Sequence, residues 1–186
     1  MKGQKMDERI LLGITASAAA FKGVALASLL RMEGFEVDGI LTPNALRFVS
    51  ETQLACVTGR PVFSSLFTDQ PGDHVPHISL TDNCSLLVVA PATADYIAKT
   101  ANGIADDLLT SVFLANEAPV VMAPAMNTRM WKNSATDENV AKLRNRGITF
   151  AGPTRGRLAC GTMGDGRMME PASILSICLK ILSGNG

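Results

Sequence analysis

Leu86-Leu87-Val88-Val89-Ala90, closed by Pro91, is the stretch on which the fold turns. Five consecutive apolar residues with no polar alternation predict a short strand covered on both faces, typical of the centre of a parallel sheet. Downstream, a helix is predicted over about 93–102 and a second from Asp106 and Asp107 through Ala115. Residues 119–123 repeat the strand pattern and are again closed by a proline, Pro124. Residues 135–146 read as a helix, 148–151 as a last strand, and 171–182 as a final helix. Between them, 152–169 holds Gly152, Gly156, Gly161, Gly164 and Gly166, and is expected to be a mobile loop. Upstream, 10–14 is a strand that runs into Thr15-Ala16-Ser17. Residues 18–34 read as a helix with Phe21, Val24, Ala25 and Leu29 on an apolar face, stopped by Gly34. Residues 37–41 form another strand, and a helix is expected over about 43–57, with Pro43 in its first turn. Strands alternating with helices predict an α/β chain: one domain over 1–186, an open parallel sheet with helices on both faces.

Composition agrees with one globular domain. The 186 residues are 47% hydrophobic and 18% charged, which excludes a disordered chain. Lys+Arg and Asp+Glu are both 17, so no net charge points to nucleic acid or a membrane surface. A neutral, apolar chain fits an oligomer that hides part of its surface. The polar segment 1–9 has no apolar signal region, and no apolar run approaches the roughly 20 residues of a membrane span. The expected location is cytoplasmic. Cys56, Cys84, Cys160 and Cys178 show no C-x-x-C spacing, so neither zinc nor a dithiol pair is indicated. Cys56, Cys84 and Cys178 read as packed small hydrophobes.

Open α/β sheets bind ligands beyond the carboxyl ends of their strands, which directs attention to 15–18, 42–45, 91–96 and 124–131. Thr15-Ala16-Ser17 lies at a strand-to-helix turn, where free N–H groups suit a phosphate; Ser17 could equally cap the helix. The turn lacks G-x-G-x-x-G, which disfavours a dinucleotide. Thr93 and Asp95 could meet a ligand or cap their helix. Pro124-Ala125-Met126-Asn127-Thr128-Arg129-Met130-Trp131 crowds two Met and the only Trp around one amide, suited to a carboxylate or a flat ring, or to plugging the core. Arg157-Leu158-Ala159-Cys160-Gly161 puts a thiol among small residues in a loop, where it could donate a proton. His74 and His77 lie in a polar connection before the central strand; His moves protons near neutral pH, and their i, i+3 spacing alone is a poor metal site.

Taken together, these segments resemble the homo-oligomeric flavin-containing cysteine decarboxylases, from about Arg9 to Leu182. The resemblance rests on the first turn and helix through Phe21-Lys22, on His77-Ile78-Ser79-Leu80, on the Pro-x-Met-Asn-x-x-Met-Trp stretch, and on Leu158-Ala159-Cys160-Gly161. Ala90-Pro91-Ala92-Thr93-Ala94-Asp95 looks like the family's flavin-contacting segment. It implies a Rossmann- or flavodoxin-like fold and FMN as cofactor. Ala16, Ser17 and Ala18 would take the FMN phosphate; Thr42, Pro43, Asn44, Thr93, Ala94, Asp95, Tyr96 and Ala125 would line the rest. His77 would stand beside the flavin. Asn127 and Met130 would bind the substrate carboxylate, and Arg157, Leu158 and Ala159 would line the clamp that carries the proton donor Cys160. The family usually assembles the site between subunits of a trimer. Ala16 stands where the family commonly has a glycine.

The Leu-Ala-Cys-Gly loop resembles the branch that decarboxylates 4′-phosphopantothenoylcysteine to 4′-phosphopantetheine in coenzyme A biosynthesis. The other branch decarboxylates a peptide's C-terminal cysteine and releases the enethiol unreduced. A non-catalytic flavin-binding regulatory subunit usually carries long acidic extensions, which are missing here. A prenylated-flavin-forming transferase lacks the Asn127 and Cys160 motifs. A generic nucleotide-binding domain would not carry four separate matching segments.

Overall fold

The computed structural model describes residues 8–67 and 76–184. Strands β1 (Arg9–Ile14), β2 (Glu36–Leu41), β3 (Val62–Phe63), β4 (Cys84–Ala92), β5 (Val120–Pro124) and β6 (Thr149–Phe150) form one sheet in the order β3-β2-β1-β4-β5-β6. Every neighbouring pair is parallel. The helices are α1 (Ala20–Met32), α2 (Glu51–Thr58), α3 (Pro76–Thr81), α4 (Ala94–Ala101), α5 (Leu108–Ala115), α6 (Thr128–Trp131), α7 (Ser134–Asn145) and α8 (Pro171–Leu182).

Side-chain alternation along the strands divides the core in two. Ile10, Leu12 and Ile14 of β1 join Leu86, Val88 and Ala90 of β4 in a layer under α1 and α8. Leu11 of β1 and Leu87 and Val89 of β4 face the other way, toward Ile97 of α4, Leu109 of α5 and Leu143 of α7. This is the predicted open parallel sheet with helices on both faces. No helix among the described residues is long and apolar enough to cross a membrane.

α1 crosses β4 closely because Gly23 has no side chain. A Cβ at Gly23 would lie 2.3 Å from the Ala90 carbonyl oxygen and 2.9 Å from Ile14 Cδ1. Backbone cannot yield as a flexible side chain can, so Gly23→Ala should destabilise the fold by about 2–3 kcal/mol, as overpacked cores do. Thermal unfolding would read this as a Tm lower by roughly 5–10 °C. An unchanged Tm would mean that α1 can slide away from β4.

At the opposite end of the sheet from the loops of interest, Asp38 is 1% exposed. It is clasped by Arg9 Nε and Arg60 Nε. Arg9 also donates to the carbonyls of Ser79 (3.3 Å) and Asp82 (3.0 Å), tying the end of α3 to the sheet. A buried carboxylate persists only when paired in this way.

Several expectations need correction. The 152–169 segment is not a loop: β7 (Thr154–Arg157) and β8 (Met163–Arg167) pair antiparallel, with a tip at 158–162. Glycine suggested mobility, yet here it lets the ribbon lie close to its support. The helix expected over 43–57 is a single 3₁₀ turn at Ala45–Arg47 followed by α2, whose start is fixed by Ser50 accepting from the Gln53 N–H. β4 and β5 run into Pro91 and Pro124 instead of stopping before them. His77 sits on a short helix, not in an irregular connection. Cys56 is exposed rather than packed. Cys178 is buried as expected, which pushes its thiol up to about 12. His74 lies outside the described residues.

Candidate active site

The chain enters the sheet at β1 and builds outward in both directions from β1 and β4, so the connections after these two strands leave on opposite faces. The crevice between them is where such sheets take ligands. A cavity of about 1080 Å³ occupies it. Its wall comes from 16–18 after β1, 42–44 after β2, 93–96 after β4, Ala125, Asn127 and Met130 after β5, and 157–160 from the hairpin. All of these are among the residues that the sequence marked as candidates, and the fold brings them to one cavity.

The turn after β1 is held from below. Thr15 is 2% exposed; its hydroxyl donates to the Pro91 carbonyl (2.8 Å) and accepts from the Thr93 N–H (3.1 Å). That hydroxyl therefore locks two ligand-facing turns together and is not available to an anion. Ser17 Oγ accepts from the Ala19 N–H at 3.2 Å, and α1 itself has no side-chain cap. The N–H groups of Ala16, Ser17 and Ala18 have no protein partner among the described residues. Orphan amides at a helix start are donors suited to a phosphate. Ala16 needs no left-handed backbone, since Asn83 is the only non-glycine with positive φ among the described residues. Thr93 caps α4 by accepting from the Tyr96 N–H, and the Tyr96 ring is buried, which pushes its phenol up.

At the far end of the cavity, Asn127 caps α6, its Oδ1 accepting from the Arg129 N–H at 2.8 Å. This fixes the amide so that Nδ2 faces Cys160 Sγ at 3.6 Å. The hairpin is fastened to the same loop: Met126 N–H donates to the Gly166 carbonyl (2.9 Å), and the Thr128 hydroxyl donates to the Asp165 carbonyl (2.6 Å). Gly166 has φ +118°, and a Cβ there would sit 2.3 Å from the Met126 carbonyl oxygen. Only glycine permits this approach. Cys160 itself is exposed, and hydrogen bonds from Thr162 hold its thiol below the usual range.

Charged groups around the cavity are mostly spoken for. Lys22 reaches Glu170 (2.8 Å), which also takes Arg167 (2.6 Å); the Lys22 hydrogen bond is the main cause of the lowered Glu170 carboxyl. Lys99 pairs with Asp95 and Asp106; burial works against its charge, yet those hydrogen bonds win and its pKa is raised. Lys99, Asp106, Asp107, Arg167 and Met168 line the cavity and were not singled out in the sequence. They come from the interior of α4, the approach to α5 and the end of β8, which local motifs do not mark. His77 is the exception among the expected residues: it lies on α3, which packs against α5, and does not line this cavity. Its Nδ1 is buried, with no hydrogen-bond partner among the described residues.

The fold, the turn of unpartnered amides and the paired amide and thiol make this an α/β domain with a ligand-sized cavity beyond the carboxyl ends of its strands. Comparison with known proteins makes the class specific. The family model described as Flavoprotein matches residues 1–183, and the chain belongs to that family. The coenzyme A biosynthesis bifunctional protein CoaBC of Vibrio vulnificus (strain YJ016) is 43% identical over 171 residues, covering 92% of this chain and 43% of that protein. The chain thus spans less than half the length of the curated relatives it matches. Among solved structures, a cysteine-to-serine mutant of a PPC decarboxylase complexed with pantothenoylaminoethenethiol superposes with a TM-score of 0.84 at 34% identity, covering 95% of this chain and 99% of that one. The FMN-dependent cysteine decarboxylase SpaF gives 0.82 at 30% identity, covering 96% and 98%.

Proposed function

We propose that the chain is an FMN-dependent decarboxylase of 4′-phosphopantothenoylcysteine, yielding 4′-phosphopantetheine for coenzyme A biosynthesis. The observation that carries this reading is the meeting of the Asn127 amide and the Cys160 thiol, 3.6 Å apart, in a cavity that also holds a turn of unpartnered amides. Neighbours in structure include a PPC decarboxylase and FMN-dependent cysteine decarboxylases, and the CoaBC relatives belong to coenzyme A biosynthesis.

The residues present fit FMN. The amides of 16–18 suit a phosphate, and the apolar wall at Ala94 and Ala125 suits a flat ring. When bound, FMN supplies the two-electron oxidation of the substrate's CH₂–SH carbon to a thioaldehyde and the later return of a hydride. The rest falls to the protein. Asn127 donates to the carboxylate and holds its C–CO₂ bond for cleavage, with Met130 packing beside it. The bond is then β to the thiocarbonyl, which accepts the electron pair as CO₂ leaves and gives an enethiolate. Cys160 delivers its proton to the carbon that lost CO₂ and afterwards takes one back from water. Arg157, Leu158 and Ala159 line the hairpin side of the substrate channel.

His77 enters the site from a second copy of the chain. What supports this is its position outside its own chain's cavity, an Nδ1 without a partner among the described residues, and the exposed apolar Ile78 on α3 and Leu114 on α5. A trimer, or a multiple of it, satisfies that requirement.

The test is to incubate the purified protein, separately, with 4′-phosphopantothenoylcysteine and with a peptide ending in cysteine. Visible spectra and product masses are recorded. A yellow protein that forms 4′-phosphopantetheine with loss of CO₂ and no net oxidation is the expected result. Oxidised enethiol from the peptide, with poor turnover of the small substrate, would move the protein to the peptide branch. A protein that cannot be loaded with FMN would overturn the reading.

A further inference from the structure

The tip of the hairpin holds more than the cysteine. Thr162 Oγ1 lies 3.1 Å from Cys160 Sγ, and the Asn127 Nδ2 lies 3.6 Å away. The tip is closed by Leu158 N–H donating to the Thr162 carbonyl and Gly161 N–H donating to the Leu158 carbonyl, both at 2.9 Å. That closure brings residue 162 back over residue 160. Nothing in the sequence motif marks Thr162 for this duty.

We propose that Thr162 is a positioning residue for proton delivery: its hydroxyl holds the Cys160 sulfur in line with Asn127 and donates to the thiolate left when the proton departs. The inference rests on the decarboxylase reading and deepens it. A hydroxyl can accept from a thiol and donate to a thiolate, so one rotation serves both states. β-Branching restricts χ1, so the hydroxyl stays near the sulfur at little entropic cost. While the Asn127 amide is engaged by the substrate carboxylate, Thr162 is the side-chain donor left to the sulfur. The proton goes from Sγ to the substrate carbon, the electron pair stays on sulfur, and water restores the thiol. The charged side chains on the elements around the tip are Arg155 and Arg157 on β7, Asp165 and Arg167 on β8, and Arg129 and Lys132 on and after α6. Lys132 pairs with Asp165 and Arg167 with Glu170. The influences on the thiol are hydrogen bonds and burial rather than any of these charges.

Thr162→Val keeps the branched shape and removes the hydroxyl; Thr162→Ser keeps the hydroxyl and removes the methyl. Both are compared in a Cys56→Ala background, because Cys56 is also exposed and would react. Two quantities are read on the FMN-loaded enzyme: iodoacetamide labelling of the Cys160 peptide against pH, and the ratio of enethiol to 4′-phosphopantetheine formed. Thr162→Val should move the labelling midpoint to higher pH and raise the enethiol fraction about tenfold, a part of what a general acid contributes. Thr162→Ser should restore both. A valine variant with the parent's midpoint and product ratio, or a serine variant that behaves like valine, overturns the proposal. The labelling arm needs no turnover. It therefore decides the Thr162–Cys160 contact even if the substrate assignment fails.

Discussion

Replacing Cys160 by serine is expected to separate CO₂ loss from completion of the reaction. A serine hydroxyl is a far weaker acid than a thiol, by much more than the donors gathered at the hairpin tip can offset. Formation of 4′-phosphopantetheine should fall by about 10²–10⁴, the range a positioned general acid contributes. The first turnover should still release CO₂, and under anaerobic conditions the bleaching of the flavin absorbance should persist while enethiol accumulates. Cys160 is exposed on the hairpin tip, so the variant should fold like the parent. Single-turnover spectra with product masses check this. Normal yields of 4′-phosphopantetheine would show that another group supplies the proton.

Asn127→Asp should be nearly as damaging, for a different reason. The carboxylate would still cap α6 through the Arg129 N–H, so local structure should be retained. The donor that faces the substrate would be lost, and a negative charge would stand against the substrate's own. Two like charges at about 4 Å repel strongly even near a surface, and kcat/KM should drop by at least about a hundredfold. The new carboxylate would also lie beside Cys160 Sγ. A neighbouring negative charge disfavours the thiolate, so the labelling midpoint of Cys160 should rise. A variant with the parent's kcat/KM would remove Asn127 from substrate binding.

Much of this arrangement could be read from the chain because strand periodicity and end-of-strand punctuation are local signals. The apolar run at 86–90 marked β4, and the segments after the four strands located about half of the cavity lining. What the sequence did not convey depends on distant packing. Five glycines in 152–169 suggested mobility, but antiparallel pairing of 154–157 with 163–167 makes a hairpin of the segment, and one backbone bond from Met126 to Gly166 fastens it to the neighbouring loop. Thr93 could meet a ligand or cap its helix and proves to be the cap, while the Thr15 hydroxyl, beside the phosphate-type turn, is consumed in bracing Pro91 to Thr93. His77 was legible as a motif residue, yet its separation from the other site residues is a matter of topology that no local pattern records. Lys99 and Asp106 meet across a helix and the following loop, a contact that spacing alone did not suggest.

The hairpin is fastened at its base by Gly166 and Asp165, both inside β8, whereas its five-residue tip, 158–162, makes its backbone bonds within itself. Anchor and tip are therefore separable units of heredity. Natural variation or deliberate grafting can exchange the tip, and with it the proton donor, while the sheet, the phosphate turn and the Asn127 cap keep their geometry. On the decarboxylase reading, changing a handful of codons in the tip would decide whether the reaction ends at the unreduced or the reduced product.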